Sequence, residues 1–358
     1  MKATQKLNEL GQSLWLDNIT RSMLDSGQLQ RYIEGHSVTG LTSNPSIFDK
    51  AINTGDYDEA IRAKAADGLR GEDLFFELAI EDLRRAADLL RPVHDRTDGV
   101  DGWVSLEVSP ELAYDTESTV AAAKELHERA DRPNLFIKIP GTPEGLPAIE
   151  ESIAAGVPVN VTLLFSAEHY VAAAEAYQRG VQRRIEAGQN PAVASVASVF
   201  MSRWDVAVND RVPAELKDRL AIAVGQQTYR AYRELIDSET SQRQANSGAR
   251  VQRLLWASTS TKDPAAPDTL YVHGLAAPFT VNTMPENTLN AFYDHGEVAG
   301  SLHADGGDFE GTLGAFGDAG IDVDGVAAKL QSDGAAAFVA SWGELMGRIE
   351  SQSAVLQA

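Results

Sequence analysis

The chain has 358 residues, 43% of them hydrophobic and 23% charged, a composition able to bury a large core and unlike that of disordered chains. Its 31 Lys and Arg against 52 Asp and Glu give a formal net charge of −21, which disfavours nucleic acid and anionic membrane surfaces as partners; an anionic ligand would need a site that gathers the few cations locally. Cysteine is absent, which removes disulfides, thiolate metal sites and thiol catalysis, and with no leader-like N-terminus and no apolar run of about 18 residues the chain is expected to be soluble and cytoplasmic.

Eight short runs rich in Val, Ile, Leu and Trp follow one another along the chain: "SLWLD" near 13, "SVTGLTS" near 37, "GWVSLEV" near 102, "NLFIKIP" at 134, "PVNVTLLF" at 158, "AVASVASVF" at 192, "RLLWAST" near 253 and "TLYVHGL" near 269. Between them, 74–90, 167–187 and 214–236 carry apolar residues at helical spacing. Strands alternating with helices indicate a parallel sheet, and eight such units predict a (β/α)8 TIM barrel. No Gly, Ser or Pro linker divides the chain, so 1–358 is taken as one domain. Residues 45–100 are too long for one crossover helix. The segment "SLHADGGDFEGTLGAFGDAG" (301–320) is too acidic to cradle phosphate and is expected to be a mobile loop. The closing "AAAFVASWGELMGRI" is expected to form an additional helix packed outside the barrel.

In a barrel, alternate strand residues face the lumen, and active sites lie at the C-terminal strand ends. In "NLFIKIP" Phe136 and Lys138 share one face, and Pro140 ends the ladder because it has no N–H. Matching parity puts Asp17, Asn44, Glu107, Thr162 and Ser198 near the ends of the neighbouring strands, with Asn160 one step below Thr162. Each has a plainer explanation: Asp17 or Asn44 as a helix cap, Thr162 or Ser198 as a hydrogen-bonded strand residue, Lys138 as half of a structural ion pair with Glu107. Their coincidence on one rim favours chemistry.

An ordinary lysine, with a pKa of about 10.4, is neutral in about one molecule in 2,500 at pH 7, and only the neutral amine attacks a carbonyl. Desolvation equivalent to about 4.6 kcal/mol would bring such a group near 7. The iminium then formed permits C–C cleavage beside a ketone, with Asp17 and Glu107 as proton carriers. The seven histidines show no i, i+4 pair, so a metal-dependent route is disfavoured. Arg203 in "SVFMSRWD" lies where a loop meets a helix start and is placed to hold phosphate, unless it is a surface ion pair; Lys262 in "ASTSTKDP" offers a second cation, unless it is a solvated loop lysine.

The segments "LTSNPSIF", "SLEVSP", "NLFIKIPGTPEGLPAIE", "VNVTLLFS", "SVASVFMSRWD" and "TVNTMPENTL" together resemble transaldolases of the longer bacterial type, over about 17–289. The resemblance implies a cofactor-free and metal-free barrel that moves a dihydroxyacetone unit between sugar phosphates of the pentose phosphate pathway. The donor would be sedoheptulose 7-phosphate or fructose 6-phosphate, the acceptor glyceraldehyde 3-phosphate or erythrose 4-phosphate. It implies Lys138 as the Schiff-base residue, Asp17 exchanging the C4-hydroxyl proton, and Glu107 with Thr162 moving protons through a water. It further implies Asn44 and Asn160 on substrate hydroxyls, Ser198 and Arg203 on the phosphate, and Phe200 shaping the pocket. Many members carry a second phosphate-binding arginine after the seventh strand, where this chain offers only Lys262, which lacks the planar fork.

Overall fold

A computed structural model describes residues 1–357. Among the described residues there are eight strands: β1 Ser13–Asp17, β2 Val38–Thr42, β3 Val104–Glu107, β4 Leu135–Pro140, β5 Val159–Leu164, β6 Ser195–Phe200, β7 Arg253–Ala257 and β8 Val281–Met284. They form one sheet in the order β2-β1-β8-β7-β6-β5-β4-β3, and each neighbouring pair is parallel. The two ends of that order meet. Gly40 bridges Trp103, the Gly102 N–H donates to the Thr39 carbonyl at 2.7 Å, and the Leu41 N–H donates to the Trp103 carbonyl at 2.9 Å. Helices cover the outside, so the architecture is the expected (β/α)8 barrel.

Three expectations need correction. The run "TLYVHGL" is not the eighth strand: Leu270–Gly274 is a helix, and β8 is "VNTM" further on. A short apolar run carries no reliable periodicity, and two of the four β8 residues are polar, so the more apolar segment drew the assignment. Half of 301–320 is not loop, since Phe309–Asp318 is a helix whose buried Phe309 and Phe316 are its anchors. The C-terminal helix Val323–Gln357 packs outside the strands, but it also reaches across the mouth of the barrel. Gln331 Nε2 donates to the carbonyls of Gly141 at 3.1 Å and Leu163 at 2.9 Å, beside the ends of β4 and β5.

The lumen is filled in layers. At the N-terminal end Trp103 stacks on Phe136 with centroids 4.1 Å apart, and Trp15 lies 6.1 Å from Phe136. Asp101 joins this layer, accepting from Ser13 Oγ at 2.5 Å and Trp15 Nε1 at 3.1 Å and pairing with Arg253 at 3.3 Å. Gly40 is required where β2 passes the Trp15 indole, because a Cβ there would lie 2.6 Å from Nε1. Above this, Asn160 Nδ2 donates to Ser105 Oγ at 3.1 Å and Ser198 Oγ donates to Asn160 Oδ1 at 2.7 Å, a polar girdle linking β3, β5 and β6. Among the described residues, no helix is long and apolar enough to cross a membrane.

Outside the barrel, the carboxylate of Asp205 follows β6 and ties two later helices to it. It accepts from the Ala221 N–H at 3.1 Å and from the Tyr271 hydroxyl at 2.7 Å, and burial pushes its pKa up to about 6.

Two predictions follow from packing. Gly40→Ala should lower the urea midpoint by the equivalent of about 1–3 kcal/mol with an unchanged slope, the range typical of forced overpacking; an unchanged midpoint would mean that the indole moves freely. For Asp205 the folded pKa is raised above the unfolded value, so its contribution is full below that lower value and is lost as pH rises through about 6. Between pH 7.5 and pH 5 the wild-type protein should therefore gain about 1–1.5 kcal/mol relative to Asp205→Asn, read as the difference between paired denaturation curves. Parallel pH profiles for the two proteins would contradict this.

Candidate active site

The C-terminal strand ends enclose a cavity of about 250 Å³. Asp17, Asn44, Lys138, Thr162, Ser198, Phe200, Arg203 and Lys262 all line it, from β1 round to the loop after β7. At its floor Lys138, 5% exposed, donates from Nζ to Glu107 Oε2 at 3.2 Å and to the Ser43 carbonyl at 3.3 Å. In-register pairing of β3 with β4 sets Glu107 beside Lys138. Pro140, next to Thr162 in the β4–β5 register, closes the strand.

Asp17 enters from β1, with Thr42 Oγ1 donating to its Oδ1 at 2.7 Å and Thr283 Oγ1 within 2.7 Å of the same threonine. Burial pushes the Asp17 carboxyl above the usual carboxylate range, opposed by the Lys138 charge and the Thr42 hydrogen bond. Glu107 is likewise pushed up by burial and by the Asp17 charge, against the lowering pull of Lys138. Both acids therefore hold protons more readily than free carboxylates do.

Two buried oxygens on these strands have no hydrogen bond from the protein: Oε1 of Glu107, whose Oε2 bonds Lys138, and Oγ1 of the cavity-lining Thr162. Thr162 is thus not an ordinary satisfied strand hydroxyl. Just beyond it, Leu163 has φ of 60° and the β5–β6 register shifts between Val161 and Leu164. That backbone is costly for a non-glycine residue, and such strain gathers at functional sites. Ser258, at the end of β7, also has a positive φ of 55° and lines the cavity.

The other candidates divide. Asn44 caps the helix Pro45–Ile52, its Oδ1 accepting from the Ile47 N–H at 3.2 Å, yet it also borders the cavity. Asn160 is fully buried in the girdle beneath Lys138 and is not part of the cavity wall. Ser198 belongs to both, bonded to Asn160 and lining the cavity. Asp17 does not cap the next helix, whose N-terminus is capped by Thr20.

Of the lining cations, Arg203 and Lys262 have no carboxylate within 4.0 Å among the described residues. The Arg203 guanidinium instead lies 5.1 Å from the Phe200 ring and 5.9 Å from the Phe338 ring, and burial lowers its pKa. Lys262 Nζ donates to Ser260 Oγ at 2.5 Å. An anion entering this mouth would meet two cations not already neutralised.

Ala337, Phe338 and Ser341 of the C-terminal helix complete the wall. Sequence reasoning missed them, together with Ser258 and Ser260. The serines had a signal, adjoining Lys262 in "ASTSTK"; Phe338 had only its place on the helix face shared with Gly334 and Trp342. Gly334 permits the close approach, since a Cβ would lie 3.0 Å from Leu163 Cδ2 and 3.1 Å from an Arg203 terminal nitrogen.

Comparison with known proteins is consistent along the chain. Residues 14–349 match the family described as Transaldolase/Fructose-6-phosphate aldolase. A transaldolase of Acidothermus cellulolyticus is 47% identical over 353 residues, 96% of this chain and 95% of its own length. Transaldolases of Arthrobacter sp. and Thermobifida fusca are 45% and 46% identical, covering 97% and 98% of this chain and 96% and 98% of theirs.

The arrangement around Arg203 predicts how an anion is held. Titrated with inorganic phosphate, Arg203→Met should lose most of the affinity. Phe338→Ala should weaken it about threefold to tenfold, the size of one partly desolvated cation–π contact. Unaltered affinity in Phe338→Ala would show that the ring does not position the guanidinium.

Proposed function

The chain belongs to the transaldolase/fructose-6-phosphate aldolase family, and from that membership we propose that Lys138 is the Schiff-base residue of its dihydroxyacetone transfer. As a transaldolase, the protein is a transferase between a ketose phosphate donor, sedoheptulose 7-phosphate or fructose 6-phosphate, and an aldose phosphate acceptor, glyceraldehyde 3-phosphate or erythrose 4-phosphate. The observation that carries the catalytic assignment is a buried lysine amine paired with Glu107 and within the field of Asp17, both carboxyls with pKa raised by burial, on the floor of an open cavity.

The chemistry proceeds from those positions. Neutral Lys138 Nζ adds to the C2 carbonyl, and the resulting carbinolamine loses water to give an iminium. Glu107, 3.2 Å from Nζ, moves the protons of that dehydration. Its Oε1 and Thr162 Oγ1 lack protein partners, which supports a water held between them as the carrier. Asp17 then takes the C4-hydroxyl proton. The C3–C4 bond breaks, its electron pair passes to the iminium to form an enamine, and the C4 carbon leaves as an aldehyde. Addition of the acceptor aldehyde reverses these steps, Asp17 returns the proton, and hydrolysis frees the new ketose and Lys138.

Arg203 and Lys262 would hold the phosphate and Ser198 would assist at the same end, while Asn44 reaches substrate hydroxyls and Phe200 shapes the wall. Asn160 we assign to holding Ser105 and Ser198 in place unless substrate displaces the girdle. The proposed partners are sugar phosphates, with no nucleic acid or membrane in keeping with the charge of −21, and the proposed compartment is the cytoplasm.

Borohydride reduction in the presence of fructose 6-phosphate should leave a three-carbon adduct on Lys138, found by peptide mass mapping. Without an acceptor aldehyde, free dihydroxyacetone should not accumulate, and Glu107→Gln should slow adduct formation by about 10²–10⁴. An unmodified Lys138 would remove the assignment, and steady release of dihydroxyacetone would make the enzyme a hydrolytic aldolase. If Lys138 were purely structural, Lys138→Ala would lose several kcal/mol of stability by leaving Glu107 unpaired, rather than fold normally and bind substrate without turnover.

A further inference from the structure

The geometry points to a second ligand site at the opposite, N-terminal mouth of the barrel, one that takes a small organic anion with a flat apolar body. A cavity of about 550 Å³ opens there, more than twice the volume at Lys138 and within the range of small-molecule pockets. Its floor is aromatic: Trp103 and Phe136, stacked at 4.1 Å, with Tyr232 from the helix Leu220–Ile236 beside them.

The rim is apolar and exposed in a way that the rest of the surface is not. Among the described residues eight large hydrophobic side chains are exposed, and three of them, Val100, Val251 and Phe279, border this one cavity. Phe279 is 68% exposed with φ of 60°, a left-handed backbone that an aromatic residue rarely adopts. It is held so by its N–H donating to the Gly11 carbonyl and by its carbonyl accepting from the Tyr232 hydroxyl, each at 2.9 Å. The fold thus maintains a strained turn that displays a ring to solvent, which packing alone does not require.

Charge selects the occupant. In a chain of net charge −21, this lining contains Arg233, Arg250 and Arg253 against one carboxylate, Asp237. Arg253 is committed to Asp101, and Arg250 meets the highly exposed Asp98 at 3.4 Å. Arg233 has no carboxylate within 4.0 Å among the described residues; its NH1 reaches only the Tyr229 hydroxyl, at 3.4 Å, and its Nε is buried without a partner. A carboxylate, sulfonate or phosphate head would be met by Arg233 and Arg250, with the apolar body lying over Trp103 and Phe136 and against Phe279.

The test uses the full chain and 8-anilinonaphthalene-1-sulfonate, followed by fluorescence and calorimetry, with sedimentation in parallel. One site per chain is expected. Arg233→Glu should weaken it at least tenfold. Phe279→Gly should weaken it at least threefold while leaving the melting temperature unchanged or higher, because glycine relieves the strained turn. Saturating fructose 6-phosphate should not displace the probe, and Arg203→Met should bind it as the wild type does. Displacement by the sugar phosphate, or indifference to both substitutions at the N-terminal mouth, would overturn the proposal. So would a wild-type dimer that Arg233→Glu or Phe279→Gly dissociates, since a second copy would then cover this face.

Discussion

Everything at the catalytic mouth turns on one costly interaction, the buried contact between Lys138 and Glu107 with Asp17 close enough to feel the same charge. Removing two ions from water costs on the order of several kcal/mol each, and mutual attraction seldom returns more than that. Two acids facing one base make the balance worse still. Stability would be served as well by three apolar residues, which favours the proton-handling role proposed for Lys138, Glu107 and Asp17. Each carboxylate is held closer to its protonated state by burial, and each has a partner that can pass the proton on.

That arrangement needs a frame that does not yield, and the two ends of the barrel divide the work. At the N-terminal end, aromatic stacking and the Asp101 cluster fill the lumen and fix the strands. At the other end the filling stops, polar side chains remain, and the backbone bends into unfavourable conformations at Leu163 and Ser258. The close-packed lower layers over-determine the strands, which is what allows strain to persist at their upper ends. The C-terminal helix then lies across the opening and brings Phe338 to within cation–π distance of both Arg203 and Lys138.

The electrostatics are local in the same way. A strongly acidic chain holds an anionic substrate only where cations stand free of carboxylates, because charges beyond a screening length of about 8 Å count for little. Arg203 and Lys262 meet that condition, and Arg203 is in addition partly desolvated, its pKa lowered by burial. Lysine at the second position supplies charge without the planar fork of an arginine, so the directionality of the proposed phosphate contact would rest mainly on Arg203.

Eight apolar runs alternating with helical segments were enough to predict the barrel, and period-2 alternation with ends marked by Pro45 and Pro140 was enough to bring Asp17, Glu107, Lys138, Thr162 and Ser198 to one rim. Those are consequences of local geometry: side chains alternate along any strand, and parallel strands all end on the same side. Where local signal was weak, the sequence misled, as in taking "TLYVHGL" for the last strand when a four-residue, half-polar segment fills that place. It was silent where a contact joins distant segments. Nothing in "AAAFVAS" indicates that a helix some 135 residues beyond Arg203 closes the pocket, nor that Asn160 is withdrawn beneath it by bonds to Ser105 and Ser198. Such contacts are set by how the elements pack once the barrel has closed, and that closure depends on Gly40 meeting Trp103 across a seam that no local pattern in either strand describes.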